Sequence, residues 1–121
     1  MSTTIYTSTV YRYKGTGGLD ITRGTSKDGI IFAPSWAILA PMIARRKAKT
    51  EETEAHWLEY CAAYTQEMRT SYRMNFAKWL LVLQCPEVTL LCYCSNPLRC
   101  HRTLLAKIFV ILGAIYGGER K

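Results

Sequence analysis

The segment "EVTLLCYC", residues 87–94, is apolar or β-branched at nearly every position and runs straight into a loop, "SNPLR", and a helix-spaced run, "CHRTLLAKIFVIL". A short run without polar alternation reads as a strand buried on both faces. Such a strand needs helices above and below it, so the chain is expected to be α/β, with a small, mainly parallel sheet flanked by helices. The order strand, loop, helix closes the chain, the last helix starting near Cys100 and carrying Leu104, Leu105, Ile108, Phe109, Leu112 and Ile115 ahead of "GGERK".

Upstream, "IYTSTVYRY" is rich in β-branched and aromatic residues and is expected to be a strand. "LDITRGT" reads as a second short strand, and "IIF" as a brief return to extended chain before Pro34. Trp36, Leu39, Ala40 and Ile43 recur at helical steps, with Pro41 expected to kink or split that helix. The strongest periodicity runs from Trp57 through Tyr60, Tyr64, Met68, Tyr72, Phe76 and Trp79 to Leu83, which predicts one long central helix or a nearly collinear pair. Pro86 ends it. The 121 residues are expected to form a single domain, 1–121, and 49% apolar content is ample for a core.

No apolar stretch is long enough to span a bilayer, and the N-terminus lacks a charged-then-apolar layout, so no membrane partner is expected. Five cysteines, three of them crowded into one segment, fit reduced thiols in a cytoplasm better than the staples of a secreted scaffold. The net charge of +7 favours anionic partners, but Arg45, Arg46, Lys47 and Lys49 form its one basic run, answered at once by Glu51, Glu52 and Glu54. That run reads as a solvated helix end. A nucleic-acid partner is therefore compatible with the charge but not favoured by it, and nothing in the pattern fixes a homo-oligomer.

The chemistry concentrates in "CYCSNPLRCHR". Loops that join strand ends to helix starts are where open α/β sheets bind ligands, and free N–H groups at a helix start favour anions. Ser95, Asn96, Arg99 and Arg102 are the candidate donors there. Cys94, at a strand end facing a helix start and arginines, is the best-placed thiolate nucleophile, with Cys100 as its competitor and His101 as acid or base. Cys92 reads as a small apolar strand residue. Cys92, Cys94, Cys100 and His101 offer four zinc ligands, but the usual two-residue knuckle spacing is absent. Neighbouring helical positions also diverge by about 100°, so neither a metal nor another cofactor is expected.

The blocks "EVTLLCYC", "CHRTLLAKI" and "LGAIYGGER", preceded by "LDIT", "FAPSW" and "SYRMN", resemble the YeaO-like domain-of-unknown-function group, whose hallmark Cys-His-Arg triplet is matched by Cys100, His101 and Arg102. The resemblance is to a branch often encoded by tailed phages. It implies a fold distantly similar to rhodaneses and cysteine phosphatases. Those phosphatases place five residues between nucleophile and arginine, whereas Cys94 and Arg99 enclose four and Cys100 stands where the arginine should be. The resemblance also draws in Tyr72, Arg73 and Asn75 of "SYRMN". Ser8 and Tyr11 of the first strand, with Asp20, Thr22 and Arg23 of "LDITRGT", are further candidate contacts at strand ends.

Three functions from different classes follow. The first is non-catalytic binding of a small phosphate-bearing nucleotide or NAD-derived ligand in an anion pocket, with a phage sponge for a host defence signal as the biological setting that the resemblance implies. The second is a thiol-dependent enzyme acting on a nucleotide, sugar phosphate or modified base through Cys94, Cys100 and His101. The third is an inhibitor that engages nucleic acid or protein through its basic surface.

Overall fold

A computed structural model of the protein describes residues 2–23, 27–94 and 96–120. Four strands, β1 (Thr4–Thr9), β2 (Gly18–Asp20), β3 (Glu87–Cys92) and β4 (Ile115–Glu119), form one sheet in the order β2-β3-β1-β4, and every pairing is parallel. Four helices accompany it: α1 (Trp36–Lys47), α2 (Glu54–Met74), α3 (Phe76–Gln84) and α4 (His101–Ile111). The expected α/β class and the both-faces-buried reading of "EVTLLCYC" hold: Val88, Thr89, Leu90 and Cys92 are all buried. Because the strands are parallel, Thr9, Asp20, Cys92 and Glu119 end at one edge of the sheet.

The core joins Ile5 and Leu90 of the sheet to Leu105 and Phe109 of α4, Tyr64 and Met68 of α2, and Trp79 of α3. Aromatic edges lock it. Trp79 meets Phe32 edge-on with centroids 4.8 Å apart, and Phe109 at a tilt with centroids 5.1 Å apart.

Several elements differ from expectation. The first strand stops at Thr9, where Arg12 and Tyr13 donate their N–H groups back to the Thr9 carbonyl and turn the chain. "IIF" is not extended; Ile30–Phe32 is a turn of 3-10 helix, pinned to α2 by Ser71 Oγ donating to Ile31 O (2.6 Å) and Tyr64 OH donating to Phe32 O (2.7 Å). Helix α1 runs through Pro41 unbroken, and Pro41 is exposed, so the carbonyl it strands can be hydrated. The central helix is a pair. Asn75 (φ −125°, ψ 35°) breaks it, and Trp79 Nε1 donates to Ser71 Oγ (3.2 Å) across the break.

The last helix ends at Ile111, and Ile115 opens a fourth strand in place of ending the helix. Its glycines are what permit it. A Cβ at Gly117 would collide with the Tyr6 ring, and Gly118 takes φ +108° where the β1–β4 register shifts between Ile5 and Tyr6. Among the described residues no helix is long and apolar enough to cross a membrane.

Candidate functional site

At the carboxyl edge of the sheet, β3 delivers Cys92 and then Cys94, and the chain returns through a short 3-10 turn, Pro97–Arg99, to Cys100, which caps α4. Cys100 itself is extended (φ −140°, ψ 145°), so the helical divergence expected of Cys100 and His101 does not apply to it. Its sulfur turns back toward the strand. The Sγ atoms of Cys92, Cys94 and Cys100 all lie within 4.8 Å of one another, and Cys92 and Cys100 meet at 2.6 Å as free thiols. Cys92 is thus a member of a thiol cluster as well as a core residue.

Two arginines address this cluster from opposite sides. Arg102, fully buried on the first turn of α4, donates from Nη1 to Cys92 Sγ (3.0 Å) and Cys94 O (2.6 Å), and from Nε and Nη2 to the two carboxylate oxygens of Glu119 (3.1 and 2.7 Å). Burial alone would raise the Glu119 carboxyl, but the Arg102 guanidinium takes it below its usual range. One side chain therefore ties the ends of β3 and β4 to the start of α4. On the solvent side, Arg46 near the end of α1 donates from Nη1 to Cys94 Sγ (3.3 Å) and from Nη2 to Arg99 O (3.0 Å).

The thiols differ in acidity. Hydrogen bonds from the Cys100 and Cys92 thiols, reinforced by the Arg46 guanidinium, hold Cys94 well below the ordinary thiol range even though burial opposes this. Burial, together with donation to its two neighbours, pushes Cys100 well up. His101 lies behind the cluster, buried, with its ring edge-on to Tyr64. Its Nε2 is 2.8 Å from Ile21 O, which can only accept, so Nε2 carries the proton. Burial lowers the ring's pKa, and in the neutral form Nδ1 is a bare lone pair 3.9 Å from Cys100 Sγ.

Two cavities meet at Cys94. An apolar chamber of about 250 Å³ is walled by Trp36, Leu39, Met42, Ile43, Tyr60 and Tyr93, with Thr22, Arg23, Cys92, Cys100 and His101 completing it. A polar vestibule of about 210 Å³ is lined by Arg46, Glu52, Cys94, Asn96 and Arg99. Arg46 and Cys94 belong to both.

The expected site residues divide accordingly. Thr22, Arg23, Cys94, Cys100 and His101 line the chamber, and Asn96 and Arg99 the vestibule. Arg23 donates to Pro34 O (3.0 Å) and Ala33 O (3.3 Å), and Asn96 Oδ1 accepts from Leu98 N (3.0 Å). Arg99 pairs with Glu54 (2.8 Å). Asp20, at the end of β2, accepts from the N (2.9 Å) and Oγ1 (2.6 Å) of the chamber-lining Thr22. Tyr11 is exposed beside the chamber, its ring 5.5 Å from that of Tyr93.

Ser8 is buried under β4, donating to Arg120 O (2.7 Å), and Arg102 is enclosed behind the thiols. Tyr72 and Arg73 line a separate groove between α2 and α4, and Asn75 is the break between α2 and α3. Ser95 lies outside the described residues.

Sequence reasoning missed Arg46, Tyr60 and the α1 wall. The signal was present: Trp36, Leu39, Ile43 and Arg46 fall at steps of three, four and three, so Arg46 continues the apolar face of α1 and does not belong to a uniformly solvated end.

No curated protein and no solved structure matches the chain. The family described as the active DUF488-N3 subclade (DUF488-N3a) matches residues 19–110, well over half the chain, and the chain belongs to it.

Proposed function

We propose that this member of the active DUF488-N3 subclade binds a small, nucleotide-like ligand across the two cavities, its flat apolar part in the chamber and its phosphate in the vestibule. The observation that carries the reading is the junction: Arg46 and Cys94 are walls of both cavities, so one ligand reaching past them is held by an apolar surface and by directed N–H donors together. A chamber of about 250 Å³ with Tyr60, Tyr93 and Trp36 in its walls suits an aromatic ring. Glu52 and Glu54 face Arg46 (3.6 Å) and Arg99 (2.8 Å), so local charge is nearly balanced and a phosphate gains chiefly from oriented guanidinium donors.

Cys94 supports a second reading, a thiol-dependent enzyme acting on the same class of ligand. It is the least buried of the three clustered thiols, it stands where the two parts of a ligand would join, and Arg46 is placed to stabilise its thiolate. The designation of the subclade as active favours this reading. A sponge for a host defence signal is the biological extension of pure binding and rests on the resemblance read from the sequence alone.

Incubation of the purified protein with nucleotides, dinucleotides and cyclic NAD-derived compounds tests both. A compound that raises the melting temperature and is recovered intact after heating supports binding alone. A compound consumed by the wild type but not by Cys94→Ser establishes the enzyme. No shift and no consumption across the panel contradicts the two-cavity reading.

A further inference from the structure

The thiol cluster has a property that ligand binding does not use: three sulfurs from two chain segments converge on one point at the chamber wall. Cys92 and Cys94 come from the end of β3, and Cys100 from the cap of α4, eight residues beyond Cys92. We propose that Cys92, Cys94 and Cys100 bind one thiophilic divalent ion, of which zinc is the foremost member, with its fourth coordination position open to the apolar chamber.

The surroundings have the character of a metal's outer shell. Guanidinium N–H groups donate to two of the three sulfurs, Arg102 to Cys92 at 3.0 Å and Arg46 to Cys94 at 3.3 Å. Arg102 is held for this by the rest of its guanidinium, which Glu119 and the Cys94 carbonyl fix in place. Three thiolates on a divalent ion carry one net negative charge, and the guanidinium hydrogen bonds to the sulfurs orient and stabilise them. Three thiolates select a soft or borderline ion over magnesium or calcium. All three residues and His101 line the chamber, so an ion held by the sulfurs faces the space assigned above to a ligand. Three protein ligands with one open position is the arrangement of reactive zinc sites, whereas structural ones are closed.

The geometry also says what must move. Tetrahedral zinc with Zn–S bonds of about 2.3 Å separates its sulfurs by about 3.8 Å. The Cys92–Cys100 contact at 2.6 Å therefore has to open by about 1 Å. On binding, three S–Zn bonds form, any S–H bonds still present break, and their protons leave to solvent, so affinity rises with pH. No oxidant or reductant is needed.

The test titrates the reduced full-length protein, under argon and without organic ligand, with Co²⁺ and then Zn²⁺. One Co²⁺ per chain is expected, with sulfur-to-cobalt charge-transfer absorption that Zn²⁺ abolishes by displacement. X-ray absorption on the zinc form is expected to count three sulfurs at about 2.3 Å. Cys94→Ser removes a ligand on the less buried side and is expected to weaken Zn²⁺ binding at least tenfold. Arg46→Gln, acting on a ligand, is expected to weaken it about tenfold or more.

Cys61→Ser and Cys85→Ser are expected to change nothing. No charge-transfer band, fewer than three sulfurs at the ion, or unchanged affinity in Cys94→Ser overturns the proposal, as does a Cys92–Cys100 disulfide that forms in the metal's stead. The X-ray count needs no variant and so stands even where a substitution unfolds the chain. Because the assay contains no nucleotide, its outcome and that of the ligand panel are independent.

Discussion

Two of the concave regions on this fold differ in what converges on them. The groove between α2 and α4, lined by Met68, Arg69, Tyr72, Arg73, Ile108 and Leu112, is the larger at about 320 Å³, and it carries two arginines. The chamber at the strand ends is smaller at about 250 Å³, yet three thiols, Arg46 and His101 meet at its wall. Volume and positive charge are shared by both; convergence of reactive groups from separate elements is not. The difference follows from topology, because parallel strands end together and the loops leaving them must crowd. A groove between two helix faces gathers only the side chains that those faces carry.

Arg102→Met breaks the comparison most severely. It leaves Glu119 and the Cys94 carbonyl without their guanidinium, and removing one partner of a buried ion pair costs about 3–5 kcal/mol. Chemical denaturation is expected to show that loss, whereas Arg73→Gln in the groove is expected to show almost none. Should both substitutions cost alike, the strand-end region has no special framework.

Acidity separates the thiols next. With its pKa held low, Cys94 stays thiolate as pH falls, while a thiol with a pKa near 8.5 is only about 1% ionised at pH 6.5. Burial pushes Cys61 higher still. Alkylation of the reduced, metal-free protein, followed by mass spectrometry, is expected to modify Cys94 at a rate nearly flat from pH 6.5 to 9 and Cys61 at a rate that climbs with pH. A Cys94 rate that climbs in parallel with that of Cys61 would refute the electrostatic account of the cluster.

Arg46→Gln is expected to weaken a stabilising nucleotide by about tenfold to a hundredfold, the worth of a hydrogen bond to a charged group. Arg73→Gln is expected to leave the affinity unchanged, as isothermal calorimetry would show. Smallest is Glu54→Gln. The exposed Arg99–Glu54 pair (2.8 Å) contributes no more than about 1 kcal/mol, so the melting temperature is expected to move little.

The parallel sheet was legible because an apolar strand leaves little choice of architecture, and the strand–loop–helix placed Cys94, Asn96, Arg99 and His101 at the sheet's edge. Periodicity also found the helical stretch from Trp57 to Leu83, though it could not locate the break, which Asn75 makes through its own backbone. The strand Ile115–Glu119 was hidden because two glycines read as a breaker, when they serve close approach to Tyr6 and a register shift. The expectation that Cys100 lies on the helix beside His101 failed, because no spacing rule conveys its extended cap conformation. Arg46 was legible only as part of the α1 stripe, and a run of neighbouring charges masked it. Tyr72 and Arg73 came from a family pattern, and the fold sets them in the groove between α2 and α4.

The central claim is that the strand-end chamber, and not the helical groove, is where this protein meets its ligand. Alkylation footprinting tests it most directly: the compound that most raises the melting temperature is added, and modification of Cys94, Cys61 and Cys85 is followed by mass spectrometry. Protection of Cys94 alone, lost in Arg46→Gln and kept in Arg73→Gln, is the predicted result. A stabilising compound that leaves Cys94 as reactive as before, and whose effect vanishes in Arg73→Gln, would move the site to the groove and contradict the account.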